Sequence, residues 1–187
     1  MSYCHMFYAV DLDQLRQVAG SKDRALYDQL AAENDSLDKA ELNALKRIIQ
    51  GRCEKTAGDE YLYGYALKAL CEHLGEPIGE DVAAIRDHPY KSKLIANGPP
   101  IDIPYTTDDF PEIGYLTPEE LPLEYELATK TKPKARWTLA GFVLRKLSGG
   151  MIGREPNAED IAEDMEAYAE TLKQCMAMNR GLVSFRH

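Results

Sequence analysis

The sequence predicts an α+β fold: one globular domain over residues 1–187, with a small mixed or antiparallel sheet flanked by several helices. Helical patterns follow one another without the strict strand–helix alternation of a doubly wound sheet. Strand patterns occur at both ends of the chain and near its centre, so we expect the N- and C-terminal strands to lie in the sheet. Apolar residues make up 44% of the chain and are spread along its length, which argues against disorder.

The N-terminal segment predicts a strand followed by two helices. Ser2 to Val10 alternates and is rich in aromatic and β-branched residues, which is typical of a buried strand. Asp11 follows, with Gln14 three residues later, as in a helix N-cap with a capping partner at N3. Ser21 is the expected start of a second helix, which ends near Asn34.

Two further helices are predicted before the middle of the chain. Ser36 is the N-cap candidate of the first, and Gly51 lies just beyond its end. The second runs from about Glu60 to Leu74, with Gly75 placed directly after its C-terminus. The segment 52–59 between them is expected to be a loop.

The centre of the chain combines strand and loop signals. Tyr90 to Ala96 is interpreted as a strand with one solvent-exposed face, because Lys91 and Lys93 lie two residues apart and so fall on the same face. Three prolines between Asn97 and Pro104 remove backbone donors, which predicts irregular structure or a sheet edge. Glu112 to Leu116 is predicted as a short strand.

A helix start is predicted at Thr117. Thr at the N-cap, Pro118 at N1 and Glu120 at N3 are typical of a capping box whose first helical residue needs no backbone donor. Pro122 is expected to interrupt this helix within two turns. Leu123 to Ala128 is left open as either a helix or a strand.

The last part of the chain predicts two helices and a strand. Trp137 to Leu147 is interpreted as a helix, and Asn157 is the N-cap candidate of the final helix. The apolar stripe of that final helix consists of Ile161, Met165, Tyr168, Leu172, Cys175 and Met176. Leu182 to Phe185 is the expected terminal strand.

Charge and cysteine usage limit the classes of function. A formal net charge of −9 disfavours nucleic-acid binding, because an acidic surface repels phosphates. The dense basic cluster from Lys130 to Arg136 is interpreted as a solvated segment leading into a helix. No apolar run reaches the about 18 residues that a membrane span needs. Without paired cysteine motifs or a signal-peptide pattern, we expect a cytoplasmic protein with reduced thiols.

The order of elements resembles a known family. MFYAVDLDQL (residues 6–15) joins a short strand directly to a helix, and LIANG (94–98) with IGYLTPEEL (113–121) forms the centre. A long helix and a strand end the chain. In these features the sequence resembles the bacterial YfbM-like family. The resemblance implies a similar order of strands and helices, and it implies no catalytic residue, because none is established for that family.

The carboxylates suggest one phosphohydrolase hypothesis. Asp11 and Asp13 follow an apolar strand, as in haloacid dehalogenase-type enzymes, where the first Asp attacks phosphorus and the second is the acid/base. Asp108 and Asp109 would then supply magnesium ligands. However, Gln14 stands where that pattern has Gly, and the strand–helix alternation of that fold is absent. Helix capping by Asp11 explains the same residue without chemistry.

A metal site is not predicted. His73 and His88 lie near acidic residues of the segment 102–112, which offers donors that a metal could use. No HxxxH or HxH spacing supports such a site, so we expect surface roles for both histidines. We predict neither a metal nor a cofactor.

Tyrosine usage indicates a binding surface. Eleven tyrosines against four phenylalanines is an uneven split, and tyrosine suits clefts and interfaces because one end is apolar and the other polar. The alternative is that tyrosine replaces phenylalanine at half-buried positions. The predicted binding residues around the central loop are Tyr63, Tyr65, His88, Tyr105, Asp108, Asp109 and Tyr115.

Three hypotheses about function follow. The first is a non-enzymatic, acidic protein-binding or accessory protein, immunity-like, whose tyrosine-rich surface near residues 97–116 engages a basic protein partner. The second is a hydrolase or metal-dependent enzyme that uses carboxylates of the 102–120 loop. The third is a homodimer with a structural role. A contiguous exposed aromatic and acidic patch would favour the first, and a concavity with converging titratable groups would favour the second.

Overall fold

One antiparallel sheet organises the chain. The computed structural model describes residues 5–54, 58–79, 92–106, 111–131 and 158–186. Its strands are β1 (His5–Val10), β2 (Gly75–Ile78), β3 (Glu112–Leu116) and β4 (Gly181–Arg186), in the sheet order β2-β1-β4-β3. Every neighbouring pair is antiparallel. The predicted α+β fold is therefore confirmed, with the first and last strands side by side in the middle of the sheet.

Helices cover both faces of this sheet. Within the described ranges they are α1 (Leu12–Val18), α2 (Arg24–Glu33), α3 (Lys39–Gln50), α4 (Glu60–Leu74), α5 (Lys93–Ala96), α6 (Leu121–Lys130) and α7 (Ala158–Ala177). Because successive strand residues point to opposite faces, β1, β3 and β4 contribute to two hydrophobic clusters, whereas β2 contributes Ile78 to one of them. Tyr8 and Val10 pack with residues of α1 to α4. Phe7 and Ala9 pack with residues of α5 to α7.

Several predicted boundaries are confirmed. Asp11 caps α1, since its Oδ1 accepts hydrogen bonds from the backbone N–H groups of Asp13 and Gln14, both at 3.0 Å. The helix over 60–74 and the strand over 112–116 have the predicted limits. Gly51 ends α3 in the left-handed region, with φ at 65°, where glycine carries no steric penalty.

The starts of α2 and α3 lie about two residues beyond the predicted serines. Asp23, not Ser21, caps α2, and Asp38, not Ser36, caps α3. Asp38 forms a full capping box with Glu41, with side-chain to backbone distances of 2.8 and 2.7 Å. In each case the carboxylate lies next to the first helical residue, whereas the serine falls in the preceding turn.

The predicted strand Tyr90 to Ala96 is wrong in its described part, where Lys93–Ala96 forms the short helix α5. The backbone N–H of Leu94 donates to Ser92 Oγ at 3.0 Å, and Leu94 is buried in the second cluster. A short apolar run does not distinguish a strand from a helix turn. The sequence also failed to predict β2, which starts at Gly75 immediately after α4.

The proline in α6 begins the helix instead of interrupting it. Residues 118–120 form a turn, and α6 starts at Leu121 with Pro122 in its first turn, where no backbone donor is needed. The predicted N-cap at Thr117 is wrong, because α6 begins at Leu121 with Glu120 at its N-cap, although Glu120 Oε2 does accept the predicted hydrogen bond from the Thr117 N–H at 3.1 Å. The segment from Leu123 to Ala128 is therefore helical.

The final helix presents the predicted apolar stripe to the sheet. The buried members of the stripe are Met165, Tyr168, Leu172 and Cys175. The predicted helix over Trp137 to Leu147 and the N-cap Asn157 lie outside the described residues. Within the described ranges, no helix has the length and apolarity that crossing a bilayer requires.

Candidate functional site

The predicted tyrosine surface divides into different environments. Tyr63 is only 1% exposed, and its hydroxyl donates to the Glu54 carbonyl at 3.3 Å and accepts from Arg47 Nη1 at 3.4 Å. Tyr65 is half-buried and meets Tyr61 edge to face, with ring centroids 6.4 Å apart. Tyr63 is thus a core residue, while Tyr61 and Tyr65 form an aromatic pair on the outer side of α4.

Tyr105 seals the free edge of the sheet. Its hydroxyl accepts from the Ile113 N–H at 3.0 Å and donates to the Ile113 carbonyl at 3.3 Å. Asn97 Nδ2 donates to the carbonyl of Tyr115 at 2.9 Å. These backbone groups of β3 point away from β4, because they bond to the loop and not to a strand. We call Tyr105 and Asn97, with their bonds to Ile113 and Tyr115, the edge latch.

Glu120 holds the edge latch in place. Its Oε2 accepts from Asn97 Nδ2 and from the Thr117 N–H, both at 3.1 Å, and its Oε1 pairs with Lys93 Nζ at 3.1 Å. Burial alone would raise the pKa of Glu120, but the hydrogen bond from Thr117 and the charge of Lys93 together lower it. The carboxylate is therefore held ionised by groups of its own chain.

The polar groups of this region are engaged within the protein. Burial raises the pKa of the Tyr105 hydroxyl, which already bonds to Ile113 on both its donor and its acceptor side. The opposite sheet edge, β2, is four residues long and contains Pro77, which has no N–H to donate. Neither edge therefore favours binding a partner by strand addition.

Three predicted binding residues, His88, Asp108 and Asp109, lie outside the described residues. Across the residues that the structure describes, no group of three or more His, Cys, Asp or Glu side chains is arranged to hold a metal ion. His73, the other histidine considered as a ligand, pairs with Glu33 across α4 and α2, with 3.0 Å between Nδ1 and Oε2.

The Asp11–Asp13 pair has a structural explanation. Asp11 caps α1, and Asp13 Oδ1 lies 3.3 Å from Nη1 of Arg16. A cleft of about 340 Å³ at this end of the sheet also has Glu119 and Arg180 in its walls. Three carboxylates and two arginines line this cleft, and among the described residues these carboxylates are not arranged as a metal-binding group.

A row of ionisable residues is buried at the other end of the sheet. His5, Arg186 and Glu112 are cross-strand partners in β1, β4 and β3, and the first two are 2% and 5% exposed. Arg186 Nη2 lies 2.7 Å from Glu112 Oε2. Elsewhere in the interior, Glu124 is 2% exposed and accepts from the Tyr168 hydroxyl at 3.3 Å. Glu112 is thus ion-paired, and Glu124 hydrogen-bonded, inside the protein.

The thiols of the described residues are not activated. Burial raises the pKa of the Cys175 thiol to about 12 and raises that of Cys71 further still. Burial also raises the pKa of Cys53, and the nearby Asp102 carboxylate adds to this effect. A thiol with a raised pKa is a poor nucleophile, so these cysteines do not indicate thiol catalysis.

A large open concavity lies between α6 and α7, and we call it the α6–α7 groove. Its volume is about 790 Å³. Its floor is apolar and its rim acidic. The floor consists of the buried residues Ala128, Met165 and Ala169, and the rim carries the exposed residues Glu163, Glu166 and Glu170.

The rim carboxylates form a stripe along α7. Positions 163, 166 and 170 are spaced three and four residues apart, which places them on one side of a helix. Glu170 pairs with Lys173 at 3.1 Å, in an exposed contact. In the part of the chain that the structure describes, Glu163 and Glu166 form no ion pair. The groove therefore presents negative charge to solvent.

The sequence contains one signal for this groove, the spacing of the glutamates on the outer side of α7. We predicted the apolar stripe of the same helix, which includes the floor residue Met165, but we did not predict these glutamates as a site. What the sequence does not show is that α6 packs beside α7, and the groove exists only because of that packing.

The described residues thus define an α+β protein with two helical layers, a β3 edge covered by the edge latch, and an acidic groove. The chain belongs to the family described as a domain of unknown function, DUF7691, whose model matches residues 1–187. No curated protein and no solved structure matches the chain.

Proposed function

We propose that this chain is a non-enzymatic, acidic binding protein that engages a basic protein partner through the α6–α7 groove. The observation that carries the proposal is the pairing of an apolar floor with an exposed rim of three glutamates. This proposed partner surface, on α7, differs from the tyrosine region predicted from the sequence. In that region the polar groups of Tyr105 and Asn97 already form hydrogen bonds to the backbone of β3.

The two parts of the groove have different physical roles. The floor residues Ala128, Met165 and Ala169 are only 5–8% exposed, so the floor shapes the groove and adds only a small apolar area on binding. The carboxylates on the rim attract a basic surface from a distance and exclude acidic ones. Because exposed charges are screened by salt, the association rate is expected to fall as the ionic strength rises.

An immunity-like or accessory role in the bacterial cytoplasm is part of the same proposal. The formal net charge of −9 favours a basic partner. The resemblance to the YfbM-like family belongs to the proposal too. A homodimer through this groove is not favoured, because a symmetric contact would bring two acidic rims together.

The hydrolase alternative has less support. In the 102–120 segment, Glu112 pairs with Arg186, and Glu120 is bonded to Lys93, Asn97 and Thr117. These carboxylates have structural partners and do not converge on an open cavity. The described residues therefore support binding better than hydrolysis.

Two charge-matched triple variants test the proposal. The groove variant carries Glu163→Gln, Glu166→Gln and Glu170→Gln. The control variant carries Asp28→Asn, Asp35→Asn and Glu54→Gln, at exposed positions away from the groove. Each changes the formal net charge from −9 to −6 by removing three carboxylates.

The measurement is binding of each variant to partners isolated with the wild-type protein, followed by surface plasmon resonance at low and physiological salt. We expect the groove variant to lose binding and the control variant to retain it. Equal binding by the two variants would contradict the proposal, because position in the groove would then not matter.

A further inference from the structure

We infer that the α6–α7 groove receives a helix whose basic residues lie on one face; this inference rests on the proposed function and specifies the form of the partner. The walls of the groove are both helices, α6 and α7. Their backbone N–H and C=O groups are largely used within each helix. A partner strand would therefore find few backbone groups to pair with, whereas a helix satisfies its own.

The floor of the groove suits the close approach of a helix. Ala128 and Ala169 are small, and Met165 beside them is a flexible side chain. Helices that pack through small residues approach to axial distances of about 8–10 Å. A partner helix could thus place one apolar side against α6 and α7 together.

The rim sets the spacing of the partner's charges. The stripe from Glu163 to Glu170 spans seven residues, or about 10 Å along a helix axis. Lys or Arg residues three and four positions apart on a roughly aligned partner helix recur with the same spacing. The last turn of α6, at Thr129, also borders the groove, but Lys130 in that turn offsets the negative end of the helix dipole, so the three glutamates supply the charge.

Two synthetic peptides of identical composition test this inference. Both contain about 15 residues of Ala, Leu and Lys, long enough to form a marginally stable helix. In the patterned peptide the lysines lie on one helical face with the leucines opposite. In the permuted peptide the same residues are ordered so that no face is basic. Affinity is measured by fluorescence anisotropy, and helix content by circular dichroism on mixing.

We expect the patterned peptide to bind the wild-type protein at least about tenfold more tightly than the permuted peptide, a difference that titration resolves readily. It should also gain helix content on binding. The groove variant should lose at least about tenfold in affinity for the patterned peptide, while the control variant should match the wild type.

The possible failures separate the two proposals. If both peptides bind with equal affinity and the groove variant binds both more weakly, the inference that the partner is a helix with one basic face is wrong, and the basic-partner proposal stands. If the groove and control variants behave alike with either peptide, the groove is not the site and both proposals are wrong. If the patterned peptide does not bind the wild-type protein at all, the helical form is overturned.

Discussion

The edge latch and the α6–α7 groove both carry polar side chains, but those of the latch bond to the protein backbone whereas those of the groove face solvent. At the edge latch, Tyr105 and Asn97 bond to the backbone of β3. In the groove, Glu163 and Glu166 face solvent beside an apolar floor. The comparison shows that a polar residue near a loop indicates a binding surface only if its polar atoms are not already hydrogen-bonded within the protein.

The largest expected effect is at the edge latch. Tyr105→Phe removes both hydrogen bonds to Ile113, so the N–H and C=O groups of Ile113 lose their hydroxyl partner. We therefore expect the free energy of unfolding to fall by about 1–3 kcal/mol. Tyr115→Phe is the matched control, because the Tyr115 hydroxyl has no hydrogen bond to a described residue. Denaturant titration measures the free energy of unfolding of both variants. Equal losses of stability would show that the Tyr105 hydroxyl contributes no more than the Tyr115 hydroxyl.

The next effect depends on pH. The folded-state pKa of Glu120 is lowered from its ordinary value of 4.5, so its ionised form stabilises the fold above the unfolded-state pKa. That stabilisation is lost as the pH falls through the lowered folded-state pKa. Between pH 7 and pH 3, we therefore expect the wild-type protein to lose more stability than Glu120→Gln. Parallel stability curves would contradict this role for Glu120.

The groove variant should change stability very little. Its three carboxylates are exposed, and Gln is a good helix former, so we expect the free energy of unfolding to stay within about 0.5 kcal/mol of wild type. Thermal and denaturant unfolding provide the measurement. A large loss of stability would mean that the glutamates have a structural role, and the contrast with the edge latch would fail.

The smallest effect is expected at Lys173. Its exposed pair with Glu170 contributes about 0–1 kcal/mol at most. Lys173→Ala should therefore leave stability nearly unchanged but remove one positive charge beside the groove. We expect the patterned peptide to bind about twofold more tightly at low salt and equally at high salt. Weaker binding would mean that Lys173 itself contacts the peptide.

Local signals in the sequence predicted much of the fold. Asp11, the limits of α4 and the strand over 112–116 follow from capping and periodicity within a few residues. The strand predicted over Tyr90 to Ala96 is wrong in its described part, because a short apolar run fits a helix turn equally well once Ser92 binds the Leu94 N–H.

The sites were harder to predict because they depend on tertiary contacts. Nothing in the spacing of Tyr105 shows that its hydroxyl meets Ile113 across a loop. Likewise, the stripe from Glu163 to Glu170 becomes a groove wall only because α6 packs beside α7. Residue type alone therefore pointed to the tyrosines, while the open acidic surface lies on α7.

The most direct test of this account is a titration of the patterned peptide into uniformly ¹⁵N-labelled protein, followed by amide chemical shifts. We predict that the perturbed amides map to residues 125–131 and 162–170, with those of Tyr105, Ile113 and Tyr115 unchanged. Perturbations centred on the edge latch, with the groove unaffected, would contradict the central claim that the acidic groove is the binding surface.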